Sequence, residues 1–214
     1  MIKLAIFDCD GTLVDSQANI CMAMEHAFEE AGLTPPMRHE TRRVVGLSLV
    51  ESMRMLLPEA ADDLHHDLAD KYRAAFWTLR SNGLVDEPLY DGMAALLSSL
   101  DESGWMLGVA TGKSDRGLTR CLDHHALRPL FVTLQTADRH PSKPHPSMVY
   151  QALAEAGADA ANAVVIGDTV YDIHMGRAAG TRTVGVNWGY HSVADLREAG
   201  ADYIAESMDE LQVY

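Results

Sequence analysis

Basic residues are scarce in this chain. Its 214 residues hold 17 Lys and Arg against 31 Asp and Glu, a formal net charge of -14. Nucleic acids and anionic membranes are held by clustered Lys and Arg, so neither is an expected partner. Cysteine is scarce too. Cys9, Cys21 and Cys121 are odd in number and fit no disulfide framework or zinc pattern, which suggests reduced thiols in the cytoplasm. No apolar run approaches the length that spans a bilayer. The N-terminus enters a core-like strand directly, with no basic segment or cleavage site, so no signal peptide is expected. Internal repeats and low-complexity tracts are absent.

What is present is 47% apolar against 22% charged residues, a globular balance sufficient for one substantial core and a smaller inserted domain. Strand-like apolar runs recur at Leu4–Phe7, Met106–Ala110, Val132–Leu134, Ala163–Ile166, Thr183–Val186 and Tyr203–Ala205. Helix-like segments such as Asp91–Ser103 and Ser147–Ala156 lie between the later ones, with Gly104 and Gly157 where helix C-caps belong. This alternation predicts an α/β fold with a doubly wound parallel sheet covered on both faces. Residues 16–86 break the rhythm. Ile20, Met24, Ala27 and Phe28 fit one helical stripe, and Leu64, Leu68, Tyr72 and Ala75 fit another, with no strand between. The expected division is a core of residues 1–15 and 87–214 and an all-helical insertion of residues 16–86, hinged near Asp15-Ser16 and Val85–Pro88. Met22, Met24, Met53 and Met55 read as core filler in that insertion.

Chemistry is concentrated at the ends of the apolar runs. After the first comes Asp8-Cys9-Asp10-Gly11-Thr12-Leu13-Val14-Asp15-Ser16. Two carboxylates crowded at a strand end repel unless a cation or proton lies between them, and hard oxygen ligands suit magnesium. After the second comes Thr111-Gly112-Lys113-Ser114, whose hydroxyl and free backbone N–H groups can grip phosphate oxygens. Lys113 there also fits a turn-capping or solvent-facing residue. In Ser142-Lys143-Pro144-His145-Pro146 two prolines fix the backbone around one lysine, while His145 reads first as a loop residue and second as a substrate contact. After the fourth run, Gly167-Asp168-Thr169-Val170-Tyr171-Asp172 sets two acids about one helical turn apart, so that both can face one cation. Trp188, Tyr190 and His191 follow the fifth run and either pack against the last helix, the first reading, or line the rim of the site.

Asp-x-Asp-Gly-Thr after an N-terminal strand resembles the signature of the haloacid dehalogenase-like phosphohydrolases, and the other three elements follow in that family's order. The resemblance implies a Rossmann-like core with a helical cap. It implies Asp8 as nucleophile, Asp10 as general acid/base, and Thr111 and Lys143 as stabilisers of the transferring phosphoryl group. Magnesium would be held by Asp8, the Asp10 backbone carbonyl and Asp168, with Asp172 as an outer partner. Gly11 and Gly112 would let the backbone approach the phosphate. Dehalogenases of the family lack the second Asp, so Asp10 favours phosphoryl transfer. Arg43 and Gly46 in Thr41–Ser48 resemble a substrate loop of phosphoglycolate phosphatase-like members, which implies hydrolysis of a small phosphorylated metabolite of that kind. A β-phosphoglucomutase-type phosphomutase and a pyrophosphatase share the motifs and stay open. A non-catalytic binding protein on the same fold would need a broken motif, and none is broken. Monomer and homodimer both remain compatible with the sequence.

Overall fold

The computed structural model describes residues 2–211. Six parallel strands form one sheet: β1 (Lys3–Phe7), β2 (Trp105–Thr111), β3 (Phe131–Thr136), β4 (Ala163–Gly167), β5 (Arg182–Val186) and β6 (Tyr203–Ala205), in the order β3-β2-β1-β4-β5-β6. Chain order runs outward in both directions from β1, so the direction of winding reverses between β1 and β4. Open α/β sheets bind ligands at the carboxyl ends of the strands flanking such a reversal.

Both faces of β1 are buried, which is why it reads as an unbroken apolar run. Ala5 and Phe7 point to one face, against α5 (Met93–Glu102) and α6 (Asp115–His124), where Leu96, Leu97 and Leu118 pack. Leu4 and Ile6 point to the other, against α7 (Ser147–Ala156) and α8 (Val170–Ala178), through Met148, Val149 and Met175. The Cys9 and Cys121 thiols meet at 3.9 Å in the first cluster, and all three cysteines are free. Short helices α9 (Val193–Glu198) and α10 (Met208–Leu211) follow β5 and β6. The parallel α/β sheet is the one the strand-helix alternation predicted. Among the described residues, no helix is long and apolar enough to cross a membrane.

Between β1 and α5 the chain forms four helices and no strand: α1 (Gln17–Glu30), α2 (Arg38–Val44), α3 (Leu49–Leu56) and α4 (Asp62–Ser81). They enclose a separate cluster of Met24, Phe28, Met53, Leu68 and Ala69. Met55, read from sequence as core filler, is instead 54% exposed, because it lies on the outer face of α3. The chain leaves and re-enters the sheet side by side. Asp15 N–H donates to the Pro88 carbonyl at 2.9 Å, Tyr90 N–H donates to Leu13 at 3.1 Å, and Val14 bridges Leu89. Asn19 on α1 is hydrogen-bonded to the Asp86 backbone, tying the two crossings together.

Candidate active site

Asp8 directly follows β1, and its N–H still donates to Ile166 at 2.9 Å, so the sheet ladder fixes its backbone. Asp168 directly follows β4. Asp172 occupies the third position of α8, where its carboxylate accepts from Thr169 N–H at 3.1 Å and from Thr169 Oγ1–H at 2.7 Å, a capping box. These three acids are buried and offer ligand oxygens within 4.8 Å of one another. Lys143 Nζ reaches between them, 2.8 Å from Asp8 Oδ1 and 2.6 Å from Asp172 Oδ1, with its side chain wholly buried.

One lysine does not balance three buried acids. Asp172 spends its oxygens on Lys143 and the cap of α8. Asp168 accepts from Thr12 Oγ1–H at 2.8 Å and from Tyr190 N–H at 2.9 Å. Asp8 is different: apart from its 2.8 Å ion pair with Lys143, neither buried oxygen has a hydrogen-bond partner among the described residues. Burial pushes the Asp8 carboxyl up to about 7, with Asp172 adding to the rise and Lys143 opposing it. Asp168 is also raised, by burial and then by Asp172 and Asp8. For Lys143 burial works against the charge, but Asp172 and Asp8 outweigh it and hold the ammonium firmly protonated. Excess buried negative charge, hard oxygen donors and two unsatisfied oxygens on Asp8 fit a divalent cation held by Asp8 and Asp168. Gly11 makes room there. Its φ is +86°, and a Cβ at this position would strike the Asp168 carboxylate.

Asp10 lies on the other side of Asp8 in sequence, and its carboxylate stays out of that cluster. It accepts from the Ser16 hydroxyl and sits 2.8 Å from Lys113 Nζ. Lys113 also pairs with Glu87 at 2.7 Å, and Glu87 with Arg80 of α4 at 2.7 Å. Lys113 is therefore neither a turn cap nor a solvent-facing residue. Burial disfavours its charge, yet Asp10 and Glu87 raise its pKa well above the usual value. For Glu87 burial is opposed and overcome by Lys113 and Arg80, which leave it below the usual carboxylate range. Lys113 follows Thr-Gly at the end of β2 and could have been suspected from that position. Glu87 carries no local signal, since its partners lie on α4 and beyond β2.

Asp8 and Asp10 floor a cavity of about 480 Å³, with Thr111, Gly112 and Lys113 beside them and the four-helix layer above. Gly46 lines it, but Arg43 does not. The Arg43 side chain is exposed outside, and its carbonyl accepts from Tyr171 Oη–H at 3.0 Å and His191 Nε2–H at 3.2 Å. His145 is likewise exposed and stays in its loop. Trp188 packs against the main apolar cluster, which also takes in Met208 and Leu211 of α10, while Tyr190 reaches the acidic site. The Trp188 indole N–H donates to the Thr12 carbonyl, and the Tyr190 hydroxyl lies 3.3 Å from Ser16 Oγ.

Residues 5–186 match the family model described as haloacid dehalogenase-like hydrolase. The chain belongs to the haloacid dehalogenase-like hydrolase family. It is 31% identical over 211 residues to the pyrophosphatase PpaX of Bacillus pumilus, covering 98% of this chain and 94% of that one. It is 26% identical over 220 residues to a phosphoglycolate phosphatase of Vibrio parahaemolyticus, with 98% and 94% covered. A solved haloacid dehalogenase-like hydrolase of Streptococcus pneumoniae superposes with a TM-score of 0.86 at 27% identity, covering 100% of this chain and 98% of that one. The chain is thus an enzyme of a hydrolase family, with relatives named as phosphatases along nearly its whole length.

In this member of the family the helical layer rests on the sheet through backbone. A Cβ on Gly112 would stand 2.5 Å from the Leu47 carbonyl oxygen and 2.8 Å from that of Gly46. Ser48 N–H donates to Ser142 Oγ at 2.7 Å, next to Lys143. Gly112→Ala should therefore push the Gly46-Leu47 loop off the sheet. We expect kcat/KM to fall by about 100-fold, since a displacement of about 1 Å costs that much in a positioned site. An unchanged kcat/KM would mean that this contact does not set the working geometry.

Proposed function

We propose that the chain is a magnesium-dependent phosphatase that hydrolyses a small phosphorylated metabolite through an aspartyl-phosphate on Asp8. The observation that carries this reading is the pair of buried Asp8 oxygens without hydrogen bonds at the floor of a cavity, between an ammonium and a second carboxylate. A carboxylate so placed, held by Lys143 on one oxygen and otherwise without a hydrogen bond, is suited to act as a nucleophile. An Asp8 oxygen attacks phosphorus in line, and the bond from phosphorus to the leaving oxygen breaks. Asp10 gives that oxygen its proton, then takes one from the water that attacks the phosphoenzyme and releases phosphate. Lys143 and the Thr111 hydroxyl meet the charge on the phosphoryl oxygens. Magnesium held by Asp8 and Asp168 supplies further neutralisation of that charge when bound. Asp172 holds Lys143, and Lys113 and Ser16 hold Asp10. Residues 16–86 act as the cap over this site, hinged at the paired crossings near Asp15 and Pro88. Reduced thiols fit a cytoplasmic enzyme.

Pyrophosphate is a second substrate reading, supported by the likeness to a pyrophosphatase. Phosphate release from phosphoglycolate, pyrophosphate and simple alkyl phosphates, with and without magnesium, tests the class. Asp10→Asn should cut turnover by about 100- to 10,000-fold, the range lost with a general acid/base, while magnesium still raises the melting temperature. Wild-type rates in Asp10→Asn would remove the acid/base role. Isomerisation of a sugar phosphate without phosphate release would turn the reading to a phosphomutase.

A further inference from the structure

We infer that the cavity selects a phosphomonoester whose alcohol part is an apolar body of about one ring, not a short carboxylate-bearing acid. The inference rests on the phosphatase reading for the position of the phosphoryl group, at Asp8. Beyond that floor the inner wall is apolar: Ile20 and Met24 from α1, Val45 and Leu47 from the loop before α3, Tyr72 and Phe76 from α4. The Tyr72 and Phe76 rings lie 6.0 Å apart and tilted, forming one aromatic side. A volume of about 480 Å³ falls within the roughly 300–1,000 Å³ that houses organic ligands of ring size and above.

Charge points the same way. A substrate carboxylate beside the phosphoryl group needs a cation to spare, and the inner wall has none. Lys113 is shared between Asp10 and Glu87, while Arg80 pairs with Glu87 and stacks its guanidinium 5.5 Å from the Phe76 centroid, and the exposed Arg73, also on the lining, pairs with Asp70 at 2.6 Å. Arg43, the cation that sequence offered for this task, lies outside. Burying a second anion against Val45, Leu47 and Phe76 without a partner carries a desolvation cost that an apolar group does not. Unpaired cations occur only at the rim, where exposed Arg116 and Arg120 of α6 line the mouth and have no ion-pair partner among the described residues. There they draw an anionic ester towards a protein of net charge -14. Exposed Trp77 lies on the same rim and extends the aromatic side outward.

The test compares 2-phenylethyl phosphate with ethyl phosphate, phosphoglycolate and pyrophosphate in magnesium. Phenylethyl and ethyl phosphate both lose an alkyl alcohol, so a difference between them reports the cavity and not the leaving group. Burying the ring should raise kcat/KM about 10- to 100-fold over ethyl phosphate, and phosphoglycolate should fall below phenylethyl phosphate. Phe76→Ala should shrink the phenylethyl-to-ethyl ratio about fivefold or more. Calorimetry with 2-phenylethylphosphonate and phosphonoacetate, which cannot be hydrolysed, reads the same preference without turnover. Equal or better turnover of ethyl phosphate, phosphoglycolate or pyrophosphate overturns the inference and leaves the phosphatase reading standing. No release from any ester, with tighter binding of the phenylethylphosphonate, sinks the phosphatase reading and keeps the apolar cavity. No release and no binding preference overturns both.

Discussion

Asp8→Asn should leave a folded protein that releases phosphate about a million-fold more slowly or not at all, as removal of a covalent nucleophile does elsewhere. The change keeps the shape of the side chain and removes one negative charge. In the metal-free protein that charge is buried among Asp168 and Asp172, with Lys143 the one cation paired to it among the described residues. Its loss relieves repulsion, so the variant should melt no lower than wild type without magnesium. Magnesium should raise the wild-type melting temperature, because a cation that binds only the folded state stabilises it by mass action. That rise should be smaller in Asp8→Asn. Phosphate release and melting curves with and without magnesium measure both effects. Near-normal turnover would end the covalent mechanism. A magnesium shift equal to wild type would remove Asp8 from the metal site.

Lys143→Met should have the largest effect on stability. The side chain has no exposed surface and serves two carboxylates at once. Removing one partner of a buried pair costs about 3–5 kcal/mol, because the remaining charge keeps its desolvation penalty and loses its compensation. Here two acids are left, and Met fills the volume without replacing the charge. Urea unfolding of the metal-free variant should show a loss at or above that range, and magnesium should restore part of it by supplying positive charge to the same cluster. Turnover should fall with it, since nothing then holds Asp8 or meets the phosphoryl oxygens on that side. A loss below about 1 kcal/mol would mean that the acids are protonated in the resting protein and do not need the lysine.

Lys143 also marks how far local pattern reaches. The resemblance of Lys143-Pro144-His145-Pro146 to the family's pattern identified it, yet nothing local to Ser142–Pro146 shows that it spans Asp8 and Asp172. Arg43 is the opposite case. Its residue type and loop suited a substrate contact, but a helix-end pattern does not say which side of the loop faces the cavity. The Arg43 carbonyl is claimed by Tyr171 and His191, and that holds the side chain outside. Lys113 looked ambiguous because its two acids, Asp10 and Glu87, come from the end of β1 and from the return to the sheet. Tyr190 was hard to place for a similar reason: it follows β5, and its N–H serves Asp168 at the end of the neighbouring strand β4.

The amino-acid sequence by itself determined the α/β alternation, the helical character of residues 16–86 and the strand-end positions of Asp8, Thr111 and Asp168. Each follows from a short apolar run and the polar residues immediately after it, and such signals are local. Tertiary structure alone decided which cations are spent and which remain, that the wall above Asp8 is apolar, and that Gly112 must be bare where the helical layer touches the sheet. Those features arise between segments far apart in the chain, where burial and pairing depend on what packs opposite, and no single stretch of sequence contains both sides.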